Sequence, residues 1–117
     1  MGLTGFWKRR TAPAVTVRDA LVDRIEQALR ELGWLHGEVG EPAAVTSAFG
    51  GEEMPFEQWL TQVFLPRLHE AKRSGQWPPR SQVAVAAMRN LDGVPQTGTL
   101  LRLLAELDND INAGTSR

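Results

Sequence analysis

The feature that most constrains this fold is the stretch 56–75, FEQWLTQVFLPRLHEAKRSG, in which apolar residues recur every three or four positions. Because a helix turns about 100° per residue, residues at this spacing lie on one face. The residues on that face are Phe56, Trp59, Leu60, Val63, Phe64, Leu68 and Ala71. A stripe of this width is typical of a helix that packs on a hydrophobic core. We therefore predict one long helix here, with the rest of the chain packed against it.

Pro66 interrupts this pattern in the middle of the predicted helix. A proline there removes the hydrogen bond to the Gln62 carbonyl and crowds the preceding turn, which costs about 3 kcal/mol. The apolar stripe nevertheless keeps its i,i+4 spacing on both sides of the proline. We therefore predict a proline-kinked but continuous helix, and a break at Leu65 is the alternative.

Arg67 falls near the middle of the apolar stripe on a helical wheel, between Val63 and Ala71. A buried charge must be paired or must reach water. One interpretation is a structural ion pair or a snorkelling side chain, with Asp108 as the first candidate partner. The other interpretation is a binding arginine on the floor of a groove, where it would hold an anion or a partner protein.

Three further segments carry helical patterns. The first runs over 17–32, where Thr16 is suited to cap the helix and Gly33 to end it. The second runs over 81–91, and its SQVAVAAM sequence has no charge and is apolar on most sides. We therefore predict that this helix is the most enclosed element. The third runs over 99–112, with an apolar face formed by Leu100, Leu103, Leu104, Leu107 and Ile111.

No segment alternates apolar and polar residues at period two, so we predict an all-α fold without strands. The predicted arrangement is an antiparallel four-helix bundle over 16–113, with a long loop, 34–54, between its first two helices. Residues 1–15 are expected to form a flexible arm and 114–117 a polar tail. Three apolar residues are expected to pin the loop to the bundle: Trp34, Leu35 and Phe49.

The charges are segregated along the chain, although the net charge is only −1. Residues 1–18 are basic, 19–57 are mainly acidic and 67–80 are mainly basic. A fold with one acidic and one basic side suits the steering of a charged partner. A dedicated nucleic-acid binder usually carries a stronger positive charge, so RNA binding is the weaker interpretation. The basic residues of the third segment are Arg67, Lys72, Arg73 and Arg80.

The sequence contains no phosphate-binding loop, no HExxH zinc motif and no nucleophile elbow. His69 and Glu70 are adjacent, so they point to different sides of a helix and cannot form a dyad. Without cysteine the chain has no disulfide and no thiolate metal site, which fits a reducing cytoplasm. No apolar run approaches the roughly 20 residues that span a bilayer. We therefore predict a cytoplasmic, non-enzymatic protein that uses no cofactor.

The run EEMPFEQWLTQVFLPRLHEA resembles the signature of the YqcC-like family, small bacterial proteins of unknown function. The sequence departs from the family pattern in Gln62, where an aromatic residue is expected, and in its N-terminal arm. The resemblance implies an all-α bundle and an association with tRNA pseudouridine synthase C, whose name some members carry. It implies no catalytic residue. The matching parts are Phe49, Met54, FEQWL with Trp59, and VFLPRL, which ends in Pro66, Arg67 and Leu68.

Three functions fit these observations. The first is a protein-interaction or adaptor module that docks on an unknown protein partner. The second is an accessory to tRNA modification that contacts tRNA, or a tRNA-modifying enzyme, through the basic residues. The third is a small-ligand-binding domain with a pocket near Trp59 and Arg67, and a homodimer through an open groove is a further alternative. The candidate interaction residues are Trp59, Arg67, Lys72, Arg73, Trp77 and Arg80.

Overall fold

The computed structural model describes residues 16–41 and 54–115 of the chain. Four helices form in this part: α1 is Val17–Glu31, α2 covers residues 56–74, α3 is Val83–Asn90 and α4 is Gly98–Thr115. No strand occurs among these residues, so the predicted all-helical fold is confirmed for the described part. Within the same residues, no helix combines the length and the apolar composition needed to cross a membrane. The antiparallel order of the bundle stays a prediction.

Some predictions concern residues that the structure does not describe. The predicted arm over 1–15 and the predicted anchor Phe49 lie outside the described residues, as do residues 116–117 of the predicted tail. In the described part of the long loop, Leu35 is buried and Trp34 packs half-buried against the core. Both residues therefore pin the start of the loop, as predicted.

α1 forms as its sequence predicts and ends one residue earlier than expected. The Thr16 side chain accepts a hydrogen bond from the Asp19 backbone N–H at 3.0 Å and so caps the helix. Gly33 follows the helix with a φ of +83°, a left-handed conformation that glycine adopts without strain. The buried face of α1 consists of Leu21, Val22, Ile25, Ala28 and Leu29.

The centre of the fold is the contact between α1 and α4, rather than α2 as the sequence predicts. The whole predicted apolar face of α4 is buried. α4 packs against both α1 and α3, whereas the second half of α2 packs against α1. The physical reason is that α1 and α4 each present one unbroken apolar stripe, while the stripe of α2 is displaced in its middle.

This displacement comes from a π turn just before Pro66. The three parts of α2 follow one another without a gap: Phe56–Trp59 is α-helical, Leu60–Phe64 is π-helical and Leu65–Ser74 is α-helical. In the π turn the Leu65 N–H donates to the carbonyl of Leu60, five residues earlier. Because Pro66 has no N–H, it leaves no unpaired donor at the start of the Leu65–Ser74 part of α2. The predicted continuity of the helix is observed, and the predicted kink stays a prediction.

The π turn also corrects the predicted burial of Arg67, whose side chain is exposed. A single π turn adds one residue to the helix, so every later residue is displaced by one position on the helix surface. Leu68 therefore takes the buried position next to Val63 that an ideal α-helix would give to Arg67. Because the Arg67 guanidinium reaches water, it needs no buried partner.

Candidate functional site

α3 differs most from what the sequence predicts. The expectation that it is the most enclosed element is wrong, since only Val83, Ala84 and Ala87 are buried along the helix. Val85 and Met88 lie outside this buried face, and each keeps 53% of its surface exposed. α3 packs mainly on one neighbour, α4, and an apolar helix is enclosed only when neighbours cover all of its sides.

We call Val85, Met88 and Arg89 the α3 outer face. Met88 follows Val85 by three positions and Arg89 follows it by four, so the three side chains are neighbours on the helix surface. Arg89 is exposed and is the only charged residue of α3. It takes part in none of the ion pairs found among the described residues. The α3 outer face therefore combines an apolar centre with a cation at one edge.

Side chains of α4 hold the beginning of α3, and we call this arrangement the α4 clamp. Asp108 is only 6% exposed, and its carboxylate accepts hydrogen bonds from the Ser81 hydroxyl at 2.5 Å and the Ala84 backbone N–H at 2.8 Å. Asn112 accepts from the Ser81 N–H at 2.9 Å and donates to the Ser81 carbonyl at 3.0 Å. Gln82, at the N-cap position, makes no capping bond with its side chain, so Asp108 supplies the cap from another helix.

The clamp and the core correct two predictions. Asp108 is not the partner of Arg67, because its carboxylate is bonded within the α4 clamp and Arg67 is exposed on α2. Trp59 is a core residue rather than a surface contact, because it is 7% exposed and its ring stacks 5.7 Å from that of Phe56 and 5.5 Å from that of Phe64. Trp59 therefore lies in the core and Arg67 at the surface, and the predicted ligand pocket near these two residues stays a prediction.

Trp77, another candidate interaction residue, lies half-buried in the connection between α2 and α3. The Arg18 guanidinium lies over its ring, 5.1 Å from the ring centroid. The same guanidinium donates to Asp110, through Nε to Oδ2 at 2.6 Å and through Nη2 to the backbone carbonyl at 3.1 Å. This contact ties the connection to the ends of α1 and α4, so one face of Trp77 has a structural role.

The predicted basic residues are distributed over several surroundings. Lys72 donates to Asp23 of α1 at 2.8 Å, so it belongs to a contact between helices. Arg67, Arg73 and Arg80 are exposed, and none of them is in an ion pair within the part of the chain that the structure describes. Arg67 and Arg73 are six residues apart on one helix, so they point in directions about 120° apart. Their role in binding stays a prediction.

A polar cleft of about 480 Å³ lies between α1, the second half of α2 and residues 38–41. At its edge the Glu26 carboxylate of α1 joins the two helices, because it bonds to His69 Nε2 of α2 at 2.8 Å. The same carboxylate accepts from Nη2 of Arg30, also on α1, at 2.7 Å. Sequence analysis misses this group, since Glu26 and His69 are far apart in the chain. The i,i+4 spacing of Glu26 and Arg30 is the only signal that could have found part of it.

Glu26 is held in its ionised form. Burial by itself raises the pKa of this carboxyl group, but the hydrogen bonds from Arg30 and His69 outweigh burial, so its pKa is lower than usual. An ionised carboxylate only accepts hydrogen bonds, so we assign the imidazole hydrogen of His69 to Nε2. No three His, Cys, Asp or Glu side chains are grouped to hold a metal ion in the described ranges. Because the Glu26–His69 bond joins α1 to α2, we interpret this group as a polar contact between the two helices.

Comparison with known proteins gives a single result. The model of the DUF446 family, described as tRNA pseudouridine synthase C, matches residues 17–110. No curated protein and no solved structure matches the chain. The matched region runs from the start of α1 into the second half of α4, and it contains the π turn with Pro66 and Arg67. The chain therefore belongs to the DUF446 family, in agreement with its resemblance to the YqcC-like proteins.

Proposed function

We propose that this chain is a non-enzymatic adaptor of the cytoplasm, whose α3 outer face receives an amphipathic helix of a partner protein. The observation that carries the proposal is the exposure of Val85 and Met88 on a helix that is apolar on most sides. Such a helix is ordinarily covered by its neighbours. Clustered apolar side chains at a surface mark contact sites, and a partner helix would supply the cover that α3 lacks.

The energetics favour a reversible contact. Burying one whole valine or methionine side chain contributes about 1.5–3 kcal/mol, so covering the exposed halves of Val85 and Met88 contributes roughly that amount in total. The α4 clamp already fixes the beginning of α3, so docking orders the helix little further. A small apolar surface on a rigid helix is typical of a transient interface rather than a permanent one.

Site-specific photo-crosslinking in native cells tests the proposal. A photoreactive residue at Met88 should capture a protein that mass spectrometry identifies, and the product should persist after nuclease treatment. The matched control is a photoreactive residue at Val17, which is 70% exposed on α1. The purified partner should then bind the wild-type chain and lose at least about tenfold in affinity when Val85→Ser and Met88→Ser are combined. Equal capture from both positions, or a product that nuclease removes, would contradict the proposal.

The family description supports a second candidate, an accessory of tRNA modification that contacts tRNA or a tRNA-modifying enzyme. Arg73 and Arg80 are exposed outside the ion pairs of the described residues, so they are available to phosphate groups. Binding of unmodified tRNA over a salt series tests this candidate. Replacing both arginines by alanine should weaken binding and reduce its salt dependence. If the wild-type chain has no affinity for tRNA at low salt, direct contact with tRNA is excluded.

A further inference from the structure

We infer that the partner helix is acidic, with carboxylates beside its apolar residues that pair with the cations at the edges of the α3 outer face. This inference rests on the proposed docking function and adds the chemistry of the partner. It follows from the charges that flank Val85 and Met88 in the sequence, from the short length of α3 and from the bonding of Asp108, a buried acid at the beginning of the helix.

The residues that flank the α3 outer face in the sequence carry more positive than negative charge, with Arg80 and Arg89 against Asp92. Arg89 lies within the face, and Arg80 is exposed just before the helix begins. Neither arginine is used by the ion pairs seen in the described residues. Asp92 is the only acidic residue between positions 75 and 98. A partner that brings carboxylates is therefore attracted, and one that brings cations is repelled.

The nearest buried acid does not change this balance at the surface. Asp108 lies at the beginning of α3, but it is buried and its carboxylate accepts from Ser81 and Ala84. Its charge is thus directed at the N-terminal N–H groups of the helix, where it offsets the positive end of the helix dipole. The exposed charges of the α3 outer face and its N-terminal flank remain those of Arg80 and Arg89.

A second copy of the chain fits this face poorly. α3 has 8 residues, so it is only about 12 Å long. Two such helices packed face to face cover far less than the roughly 800 Å² per partner that a stable dimer buries. A longer helix from another protein can extend past both ends of α3 and place its carboxylates near Arg80 and Arg89. Nucleic acid fits poorly too, because Val85 and Met88 offer nothing to a phosphate.

Fluorescence anisotropy with two helical probe peptides tests the inference on the full chain. Both peptides carry the same leucine stripe, and the flanking positions are glutamate in one and lysine in the other. At low ionic strength we expect the glutamate peptide to bind about tenfold more tightly, since two attractive pairs replace two repulsive ones. Added salt should reduce this difference.

Charge-reversal variants make the test specific. Arg80→Glu combined with Arg89→Glu should reverse the preference, so that the lysine peptide binds more tightly. Arg24→Glu, an exposed arginine on α1, is the matched control and should leave the preference unchanged. Val85→Ser combined with Met88→Ser should abolish binding of both peptides, and circular dichroism verifies that each variant is folded.

The inference and the docking function can fail separately. If both peptides bind equally, lose binding in the serine variant and ignore the charge reversal, docking stands and the acidic partner is wrong. If the serine variant binds both peptides as well as the wild-type chain does, the docking site itself is wrong. If sedimentation shows a dimer that Met88→Ser dissociates, the occupant is a second copy and the inference is overturned.

Discussion

α3 and α4 pack against each other, yet α4 buries its whole apolar face while α3 leaves two large apolar residues exposed. The sequence of α4 separates apolar from polar positions, so only one orientation hides its leucines. The sequence of α3 is apolar on most sides, so it does not select one side of the helix for burial. The comparison shows that periodicity determines which side of a helix is buried, whereas overall apolarity does not determine how much of it is buried.

The largest expected loss of stability is at the buried apolar face of α4. Leu104→Ala removes a fully buried side chain of α4 and should lower the free energy of unfolding by about 2–5 kcal/mol, because it leaves a cavity. Val85→Ala, the matched change on the α3 outer face, should cost less than about 0.5 kcal/mol. Urea unfolding of both variants measures the difference. A loss below about 1 kcal/mol for Leu104→Ala would contradict the described core.

The next largest loss of stability is expected when the hydrogen bonds between α4 and the beginning of α3 are removed. Asp108→Ala leaves the Ser81 hydroxyl and the Ala84 N–H without their acceptor, so it should cost about 1–3 kcal/mol. Glu106→Ala, an exposed change on α4, is the control and should have little effect. Hydrogen exchange should show that Asp108→Ala weakens the protection of α3 amides more than that of α1 amides. Equal loss of protection in both helices would mean that Asp108 does not act as a cap.

A smaller effect is expected where α1 meets α2. Because the pKa of Glu26 in the folded chain lies below its ordinary value of 4.5, its ionised carboxylate stabilises the fold above about pH 4.5. This stabilisation is lost as the pH falls through the lower pKa of the folded state. Glu26→Gln should therefore cost about 0.5–1 kcal/mol at pH 7, and the difference from wild type should shrink below pH 4.5. Glu38→Gln, an exposed change in the same cleft, is the control and should have little effect on stability at pH 7.

The smallest effect on stability is expected on the α3 outer face itself. Val85→Ser and Met88→Ser should each change the free energy of unfolding by about 0.5 kcal/mol at most, because both residues are more than half exposed. Thermal and urea unfolding check this value. A large loss would show that these residues stabilise the domain. Weaker binding by the serine variant could then result from unfolding rather than from loss of the docking site.

Sequence reasoning succeeds for α1 and α4 because their local signals agree. Thr16 and Gly33 stand where capping requires them, and each helix has one apolar stripe. The predicted burial of Arg67 is wrong because a helical wheel assumes the same rotation, about 100°, at every residue. The π turn before Pro66 has more residues per turn, so the assumption fails there. Pro66 is the visible warning, since it marks a place where regular hydrogen bonding fails.

The contacts that sequence analysis did not predict were missed for another physical reason. The Glu26–His69 bond and the α4 clamp join residues that are distant in the sequence, and only the packing of the helices brings them together. The exposure of Val85 is likewise decided by how many helices surround α3, which no local pattern encodes. A sequence shows which side chains suit a core, but the number of available neighbours is a property of the whole fold.

The α4 clamp has a consequence for the order in which the domain folds. α3 has 8 residues, fewer than the roughly 12–15 that an isolated helix needs to be stable in water. Its cap is borrowed from Asp108, so α3 cannot be completed before α4 is in place. We therefore expect α3 to gain its structure after the folding transition state, with φ-values near zero for substitutions at Ala84 and Ala87. A chain still emerging from the ribosome would consequently lack the α3 outer face until α4 has been synthesised, so only the folded domain could engage a partner there.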